Sequence, residues 1–422
     1  MLDINFLRNI TNNNLDKFKN RGFIFDISYF NYIDFEIKNV KTDIYKYQFK
    51  HKIISFLIRD LKYRNMNFKF LFNDILLLKN IIHEKKCILD KLEKKIKLYL
   101  FSIPNVLHYS VPVGYSSCDN LEIRLFSNSL KLNKSILNDF EHNSNYINFD
   151  LSAKLSGSGF VILKGLLAQL HRALGNYMLD LHIFRHGYKE IYSPLMVNEK
   201  SMTATGHFPK FYDDQFSIAD SDLWLIPTAE VVLSNLNSGI ELSQYDLPLK
   251  YVSKTPCFRK EKGNYGSKAR GFIRQHQFDK VELVQVSLPH LSYNILEELV
   301  FHAEKVLQNL NLSYRVVNLC SSDLGFTSTK TYDLEVWFPK RKMYVEVSSC
   351  SNTESFQSRR MKTKIKKKLS NFLDYPHILN GSGLAIGRVL LAIIENYSDE
   401  RGNLIIPDVL VQYMNGKTLI KV

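Results

Sequence analysis

Cysteine is scarce in this chain. The five thiols (Cys87, Cys118, Cys257, Cys320 and Cys350) are scattered through 422 residues, odd in number, and form no CxxC pair. That excludes a disulfide framework and a thiolate zinc site. Glycine and proline are sparse too, at 18 and 11 residues, which excludes collagen-like repeats and low-complexity linkers. No apolar run approaches the roughly 20 residues of a membrane span, and Asp74 and Lys79 interrupt the longest candidate. The opening Met1-Leu2-Asp3-Ile4-Asn5 lacks the basic-then-apolar order of a signal peptide. Neither a GxGxxG nor a Walker loop occurs, so parallel nucleotide folds would lack their usual phosphate cradle. The expectation is a soluble cytoplasmic protein of about two to three domains. Its composition, 45% hydrophobic and 23% charged, is ample for a large core.

Acidic residues are in deficit, 42 against 56 basic, for a formal charge of +14. An AT-rich genome raises Lys, Asn, Ile, Phe and Tyr together and accounts for part of the excess. Its location says more. Between Lys38 and Leu100 sixteen Lys or Arg stand against six Asp or Glu, which is +10 of the +14. A basic excess confined to one segment marks a nucleic-acid-binding element, set against the plainer reading of a solvated helix face.

The same segment carries heptads. Ile33, Ile37, Val40, Ile44, Tyr47, His51, Ile54, Ile58 and Leu61 are spaced alternately four and three apart. Leu71, Ile75, Leu78, Ile82, Lys85, Leu89, Leu92, Ile96 and Tyr99 repeat the pattern, with only His51 and Lys85 interrupting. Two such runs around the polar stretch Lys62–Lys69 predict an antiparallel helical hairpin over about 30–100 with a coiled-coil seam. Arms of about 30 residues would reach roughly 45 Å, which suits either a spacer or dimerisation arm or a charged lever onto a large anionic partner. The basic excess favours the lever. Pro104 ends the second helix. From these signals the chain divides into an N-terminal domain (1–104), an irregular linker packing on the body (105–150) and an α+β domain (151–422).

In that last domain Val161–Arg185 reads as one amphipathic helix, followed by helices at Leu291–Leu310 and Leu384–Asn396. Strand-like runs fall at Leu223–Pro227, Leu249–Phe258, Phe278–Val286, Thr331–Phe338 and Met343–Ser348. Strands clustered between a few helices suggest an antiparallel sheet. Thr255-Pro-Cys-Phe-Arg-Lys-Glu261 leads into a loop with Gly263, Gly266 and Gly271, then into Phe272-Ile-Arg-Gln-His-Gln-Phe-Asp-Lys-Val-Glu282. Period-two alternation places Arg259 with Glu261, and Phe278 with Lys280 and Glu282, on one sheet face. Arg suits phosphate, an aromatic plate a base, and carboxylates an amine or a metal. Each residue alone is more simply an exposed strand charge; the constellation is what points to a nucleotide. Thr228 and Glu230, two apart after an apolar strand, share a side by the same rule, and so do Glu346 and Ser348. Asn380-Gly-Ser-Gly-Leu-Ala-Ile-Gly-Arg388 reads as a turn opening a helix. Ser382 is there either a plain N-cap or part of an anion site, with Arg388 between one and two turns in.

These residues resemble a known family. Arg259–Glu282 is similar to motif 2 of class II aminoacyl-tRNA synthetases in its serine-specific form, and Asn380–Arg388 to motif 3. Arg172–Pro194, with Tyr177-Met-Leu-Asp-Leu-His182 and Gly187-Tyr188, resembles the motif 1 region of the dimer interface. Ile226-Pro-Thr-Ala-Glu230, Tyr332-Asp-Leu-Glu-Val-Trp337, Ser348-Ser-Cys-Ser-Asn352, Phe356-Gln357 and Arg359-Arg-Met361 extend the likeness to nearly the whole chain, weakest in the hairpin. The family is the bacterial-type seryl-tRNA synthetases.

The resemblance implies a class II antiparallel sheet flanked by helices, a homodimer, and ATP-dependent attachment of L-serine to tRNA(Ser) through a seryl-adenylate. It admits tRNA(Sec) as a second substrate. It implies that Thr228, Ala229, Glu230, Glu282 and Ser382 bind serine. It implies ATP contacts from Arg259, Lys260, Glu261, Phe278, Glu346, Val347, Ser348, Ser349 and Arg388. Of these Arg259 would meet the α-phosphate, Phe278 the adenine and Arg388 the γ-phosphate, while Glu346 would hold Mg²⁺ with the ATP. Arg259, Glu261 and Arg388 would be the catalytic set. No zinc is implied, because no Cys occupies a serine-binding position. Lys260 stands where the family commonly has Ser, and alternation turns its side chain away. The hairpin lacks the family's usual Ala-, Glu- and Arg-rich surface, but a Lys-rich one still offers phosphate contacts to tRNA.

Some residues are better read plainly: His276 as structural, Cys257 and Cys350 as buried fillers. The seven basic residues of Arg359–Lys368 are either a solvated helix or an approach to the tRNA acceptor end. Two rival functions make contrary predictions. A non-catalytic homologue should have lost some of Arg259, Glu261, Glu282, Glu346 and Arg388, and none is lost. An enzyme loading a carrier protein should lack a charged hairpin.

Overall fold

In the computed structural model, which describes residues 1–127, 145–261, 271–366 and 373–421, the heptads fold as two long helices. These are α1 (Ile27–Tyr63) and α2 (Phe72–Ser102). At about 1.5 Å per residue they extend roughly 55 and 46 Å. Asp26 caps α1 by accepting the Tyr29 N–H at 2.8 Å. α2 stops at Ser102 because Ile103, pressed by the Pro104 ring, turns extended. Ile33, Ile37, Val40 and Ile44 of α1 are buried, as are Leu78 and Ile96 of α2. Lys85, which interrupts the second heptad run, reaches across the seam to Asp43 at 2.7 Å. His51, in the first, is half-buried with Ser55 Oγ 3.5 Å away. This unit comprises Asp3–Leu15 and Phe23–Ile103.

The second unit comprises Met1–Leu2, Asp16–Gly22 and Pro104–Val422. Its frame is an eight-stranded sheet: β1 (Leu121–Phe126), β2 (Lys189–Glu190), β3 (Leu249–Phe258), β4 (Gln277–Ser287), β5 (Tyr314–Asn318), β6 (Lys330–Phe338), β7 (Met343–Asn352) and β8 (His377–Ala385). The spatial order is β1-β5-β6-β7-β8-β4-β3-β2, antiparallel throughout except where β2 runs beside β3. The unit's named helices are α3 (Gly165–Phe184), α4 (Glu230–Asn235), α5 (Ser292–Asn309), α6 (Phe356–Met361) and α7 (Ile386–Tyr397). Leu174 and Met178 of α3, Leu296 and Leu299 of α5, and Leu390 and Ile393 of α7 close with Leu283, Leu334 and Val347 of the sheet into the main core. Among the described residues no helix is long and apolar enough to cross a membrane.

Four local expectations need correction. The stretch 105–150 is not wholly irregular: Leu121–Phe126 is the edge strand β1, paired with β5. Part of that stretch, and Gly263 and Gly266, lie outside the described residues. The helix expected from Val161 begins at Gly165, because Ile162–Leu163 pair with Ile147–Asn148. Asn380–Ala385 is strand and not a turn, so Ser382 is no N-cap and Arg388 is the third residue of α7. The glycines serve close packing instead. A Cβ on Gly381 would lie 2.9 Å from Cys350 Sγ, and one on Gly383 2.6 Å from His182 Nε2. Finally, Arg359–Lys368 is not one solvated helix. α6 ends at Met361, Lys362 is left-handed, and Lys364–Lys366 pair with Glu241–Ser243. Lys367 and Lys368 lie outside the described residues.

Candidate active site

Two cavities of about 300 and 340 Å³ open in the second unit, and both are bounded by Arg259, Lys280, Glu346 and Ser382. The shared wall follows from strand order. β4 and β7 flank β8, so Lys280 and Glu282 of β4, Ser382 of β8 and Glu346 of β7 come together from positions far apart in sequence. Alternation along β4 holds as expected: Phe278 faces the larger cavity, Glu282 the smaller, and Lys280 both.

The smaller cavity is lined by carboxylates whose partners are fixed. Glu282 is buried, opposite Ser382 in the β4–β8 register. It accepts the Thr228 hydroxyl at 2.8 Å and forms an ion pair with Lys280. Glu230 opens α4. One of its oxygens, Oε1, accepts both the Gln357 amide at 2.7 Å and the Asn380 amide at 2.9 Å. Burial and the Glu282 charge push the Glu230 carboxyl up to about 7. Thr228 and Glu230 share the cavity, although not by strand alternation. The apolar strand is only Leu223–Leu225, and Glu230 is presented from a helix N-terminus. Ala229 lies outside the cavity wall, fully buried among Ala204, Leu233 and Val284. His207 also lines this cavity. Burial and the charges of Arg259, Lys280 and Arg360 push its imidazole down to about 3, so it is neutral at pH 7. Its neighbour Gly206 has φ +90°, and a Cβ there would meet Thr327 Cγ2 at 2.3 Å, so only glycine admits this loop crossing.

The larger cavity has the opposite chemistry. The Arg259 guanidinium lies 5.2 Å from the Phe278 ring centroid, and its Nε donates to Pro227 O at 3.3 Å. Glu261 also faces this cavity, yet not through alternation: β3 ends at Phe258 and Glu261 has φ +50°. Arg274 donates to its carboxylate at 2.5 Å. Arg388 is held by Glu346 O at 2.8 Å and Ile273 O at 3.2 Å, with the Glu346 carboxylate 3.4 Å away. Lys260 lies in neither wall; its ammonium is 5.7 Å from the Phe216 ring centroid.

Alternation also fails on β7. A register shift against β6, where Leu334 faces Ser348 and Glu335 faces Glu346, lets Glu346 and Ser349 line the smaller cavity. Ser348 is turned inward, its hydroxyl on Ser382 O at 2.6 Å. Val347 borders the larger cavity but packs in the core. His276 is structural in placement, its Nδ1 3.0 Å from Arg259 O, and Cys257 and Cys350 are buried. Sequence reasoning missed His207, Arg274, Asn380 and Gln357 as site residues. Gln357 lies 127 positions from Glu230, and no local pattern joins them.

Comparison with known proteins matches residues 1–107 to the seryl-tRNA synthetase N-terminal domain and 214–397 to the tRNA synthetase class II core domain (G, H, P, S and T). A serine–tRNA ligase of Legionella pneumophila (strain Philadelphia 1) is 44% identical over 425 residues, covering 100% of both chains. One of Wigglesworthia glossinidia brevipalpis is 45% identical over 392 residues, 91% of each. The crystal structure of seryl-tRNA synthetase from Pyrococcus horikoshii complexed with ATP superposes with a TM-score of 0.91 at 31% identity, over 100% of this chain and 99% of that one.

Proposed function

The chain belongs to the seryl-tRNA synthetase family, class II enzymes that attach serine to tRNA using ATP, and on that premise we propose how its two cavities divide the reaction. The smaller cavity takes serine. Glu230 and Glu282 meet the ammonium and hydroxyl, with Thr228 and Ser382 beside them and Ala229 contributing backbone only. Alanine would leave these buried acceptors unpaired, which is how such a pocket rejects it. The larger cavity takes ATP, with adenine on Phe278, the α-phosphate on Arg259 and the γ-phosphate on Arg388. Glu261 and Val347 border the nucleotide, while Ser349 faces the smaller cavity and Ser348 braces Ser382 from within. Lys260 offers its main chain alone.

Mg²⁺ fits here as part of the substrate. Such ions are held by one or two carboxylates plus the phosphates themselves, and Glu346 is a half-exposed carboxylate at the shared wall. The ion would neutralise phosphate charge there. The rest is done by the chain's own residues. The serine carboxylate attacks the α-phosphorus across the shared wall and pyrophosphate leaves, while Arg259, fixed at that wall, meets the charge that develops. The terminal adenosine hydroxyl of tRNA then attacks the acyl carbon of seryl-adenylate, the acyl–phosphate bond breaks, and AMP leaves with the hydroxyl proton passing to its phosphate or to water. Positioning and preorganised charge suffice, without a nucleophile–base pair. The observation that carries this reading is the common wall: Arg259, Lys280, Glu346 and Ser382 border both cavities.

The basic hairpin would bind tRNA(Ser), with tRNA(Sec) a second candidate substrate, in the cytoplasm. A homodimer accords with the exposure of Phe184, the last residue of α3, and of Tyr192 just past β2, 77% and 101%. The deciding experiment is pyrophosphate–ATP exchange without tRNA, with threonine and alanine as controls. Serine-specific exchange is the expected result; its absence from well-folded protein would refute the division of cavities.

A further inference from the structure

The hairpin's outer face breaks the usual coiled-coil pattern. With the α1 seam at Ile33, Ile37, Val40, Ile44, Tyr47, His51, Ile54, Ile58 and Leu61, the positions farthest from it are 35, 42, 49, 56 and 63. These ordinarily polar sites hold Phe35, Thr42, Phe49, Phe56 and Tyr63, and the four rings are 60%, 65%, 58% and 89% exposed. The equivalent positions on α2 are Asn73, Asn80, Cys87, Lys94 and Phe101, the last half-buried. A biased genome would load both helices alike, whereas four exposed rings occupy the outermost line of α1 and one half-buried ring that of α2.

Cations border that line. Lys38, Lys52 and Arg59 lie along one side and Lys46 on the other, and the Arg59 guanidinium is 5.3 Å from the Phe56 ring centroid. Lysines alone would serve for duplex phosphates. Exposed rings interleaved with cations are the chemistry of unpaired nucleotides, whose bases stack on aromatic faces. Successive heptad positions are about 10 Å apart along the axis, so each ring takes its own base.

We propose that the outer face of α1 binds unpaired nucleotides of the tRNA, stacking bases on Phe35, Phe49 and Phe56 while Lys46, Lys52 and Arg59 meet the adjoining phosphates. This rests on the reading that the hairpin grips tRNA. A triple variant, Phe35→Ser, Phe49→Ser and Phe56→Ser, made in the full chain, tests it. A tRNA(Ser) transcript is titrated by filter binding from about 50 to about 200 mM salt, the range over which phosphate neutralisation shows. The aromatic variant is expected to lose about tenfold or more in affinity with an unchanged salt slope, and to keep serine-dependent exchange. A second variant, Lys46→Ala with Lys52→Ala, should instead flatten the slope by about 0.7 to 0.9 for each phosphate it no longer neutralises. Wild-type affinity in the aromatic variant beside a weakened lysine variant overturns the stacking proposal alone; wild-type affinity in both overturns the hairpin reading as well. Sedimentation in which the wild type self-associates through this face and the triple variant does not would assign the rings to a second copy, and would equally overturn it.

Discussion

The two units meet their ligands with opposite kinds of sequence. In the cavity-bearing unit many polar wall residues have a fixed partner: Thr228 on Glu282, Gln357 and Asn380 on Glu230, Arg274 on Glu261, Ile273 and Glu346 on Arg388. Such a site is preorganised, and its function belongs to individual atoms. In the hairpin the fixed contacts are those of the seam and a few surface ion pairs such as Lys38–Asp34 and Arg64–Asp60. The outward residues are set by heptad position and sign of charge, so many sequences would serve.

If the contrast is right, single substitutions should act far more severely in the cavities than on the hairpin. The largest effect is expected from Arg259→Ala. It removes the one guanidinium that, among the described residues, borders both cavities, and loss of a preorganised charge of this kind costs about 10²–10³ in kcat. Exchange kinetics check this, with thermal melting to confirm the fold. A loss below tenfold would mean that the shared wall is not where the reaction occurs.

Next in size is a pH effect. The Glu230 carboxyl is pushed up to about 7, so below that pH the free enzyme holds a proton where, on the proposed reading, the serine ammonium would bind. The KM for serine should therefore rise as pH falls through about 7, approaching tenfold per unit, while the KM for ATP stays flat. The Gln357 amide favours the ionised form. Gln357→Met should thus move the rise to higher pH, and Glu230→Gln should abolish the pH dependence while weakening serine binding. Equal shifts in both KM values would contradict the separation of the two cavities.

Legibility in the sequence followed the same division. The hairpin could be read from heptads because its packing is local and periodic. On β4 the alternation Phe278, Lys280, Glu282 predicted the wall, since an uninterrupted strand keeps its period. Prediction failed where the period breaks. The register shift on β7 exchanges Ser348 for Ser349, the left-handed Glu261 reaches its cavity beyond the end of a strand, and Gly381 and Gly383 signal close packing against Cys350 and His182 and not a turn. Gln357 was beyond local reasoning, because its importance comes from a hydrogen bond to a residue 127 positions away.

The smallest effect tests the hairpin side of the contrast. Lys85 sits at a seam position yet is only 31% exposed, its charge answered by Asp43 across the seam. An ion pair this accessible contributes little to stability. An apolar side chain that continued the heptad would gain more, because a buried Leu contributes roughly 1.5–3 kcal/mol relative to an exposed one and Asp43, itself 43% exposed, would stay hydrated. Lys85→Leu should therefore slow amide hydrogen exchange around the middle of α1 and α2 several-fold, with serine and ATP kinetics unchanged. Faster exchange would show that the Lys85–Asp43 pair holds the register of the two helices. The hairpin would then depend on particular atoms just as the cavities do, and the contrast between the units would be one of degree.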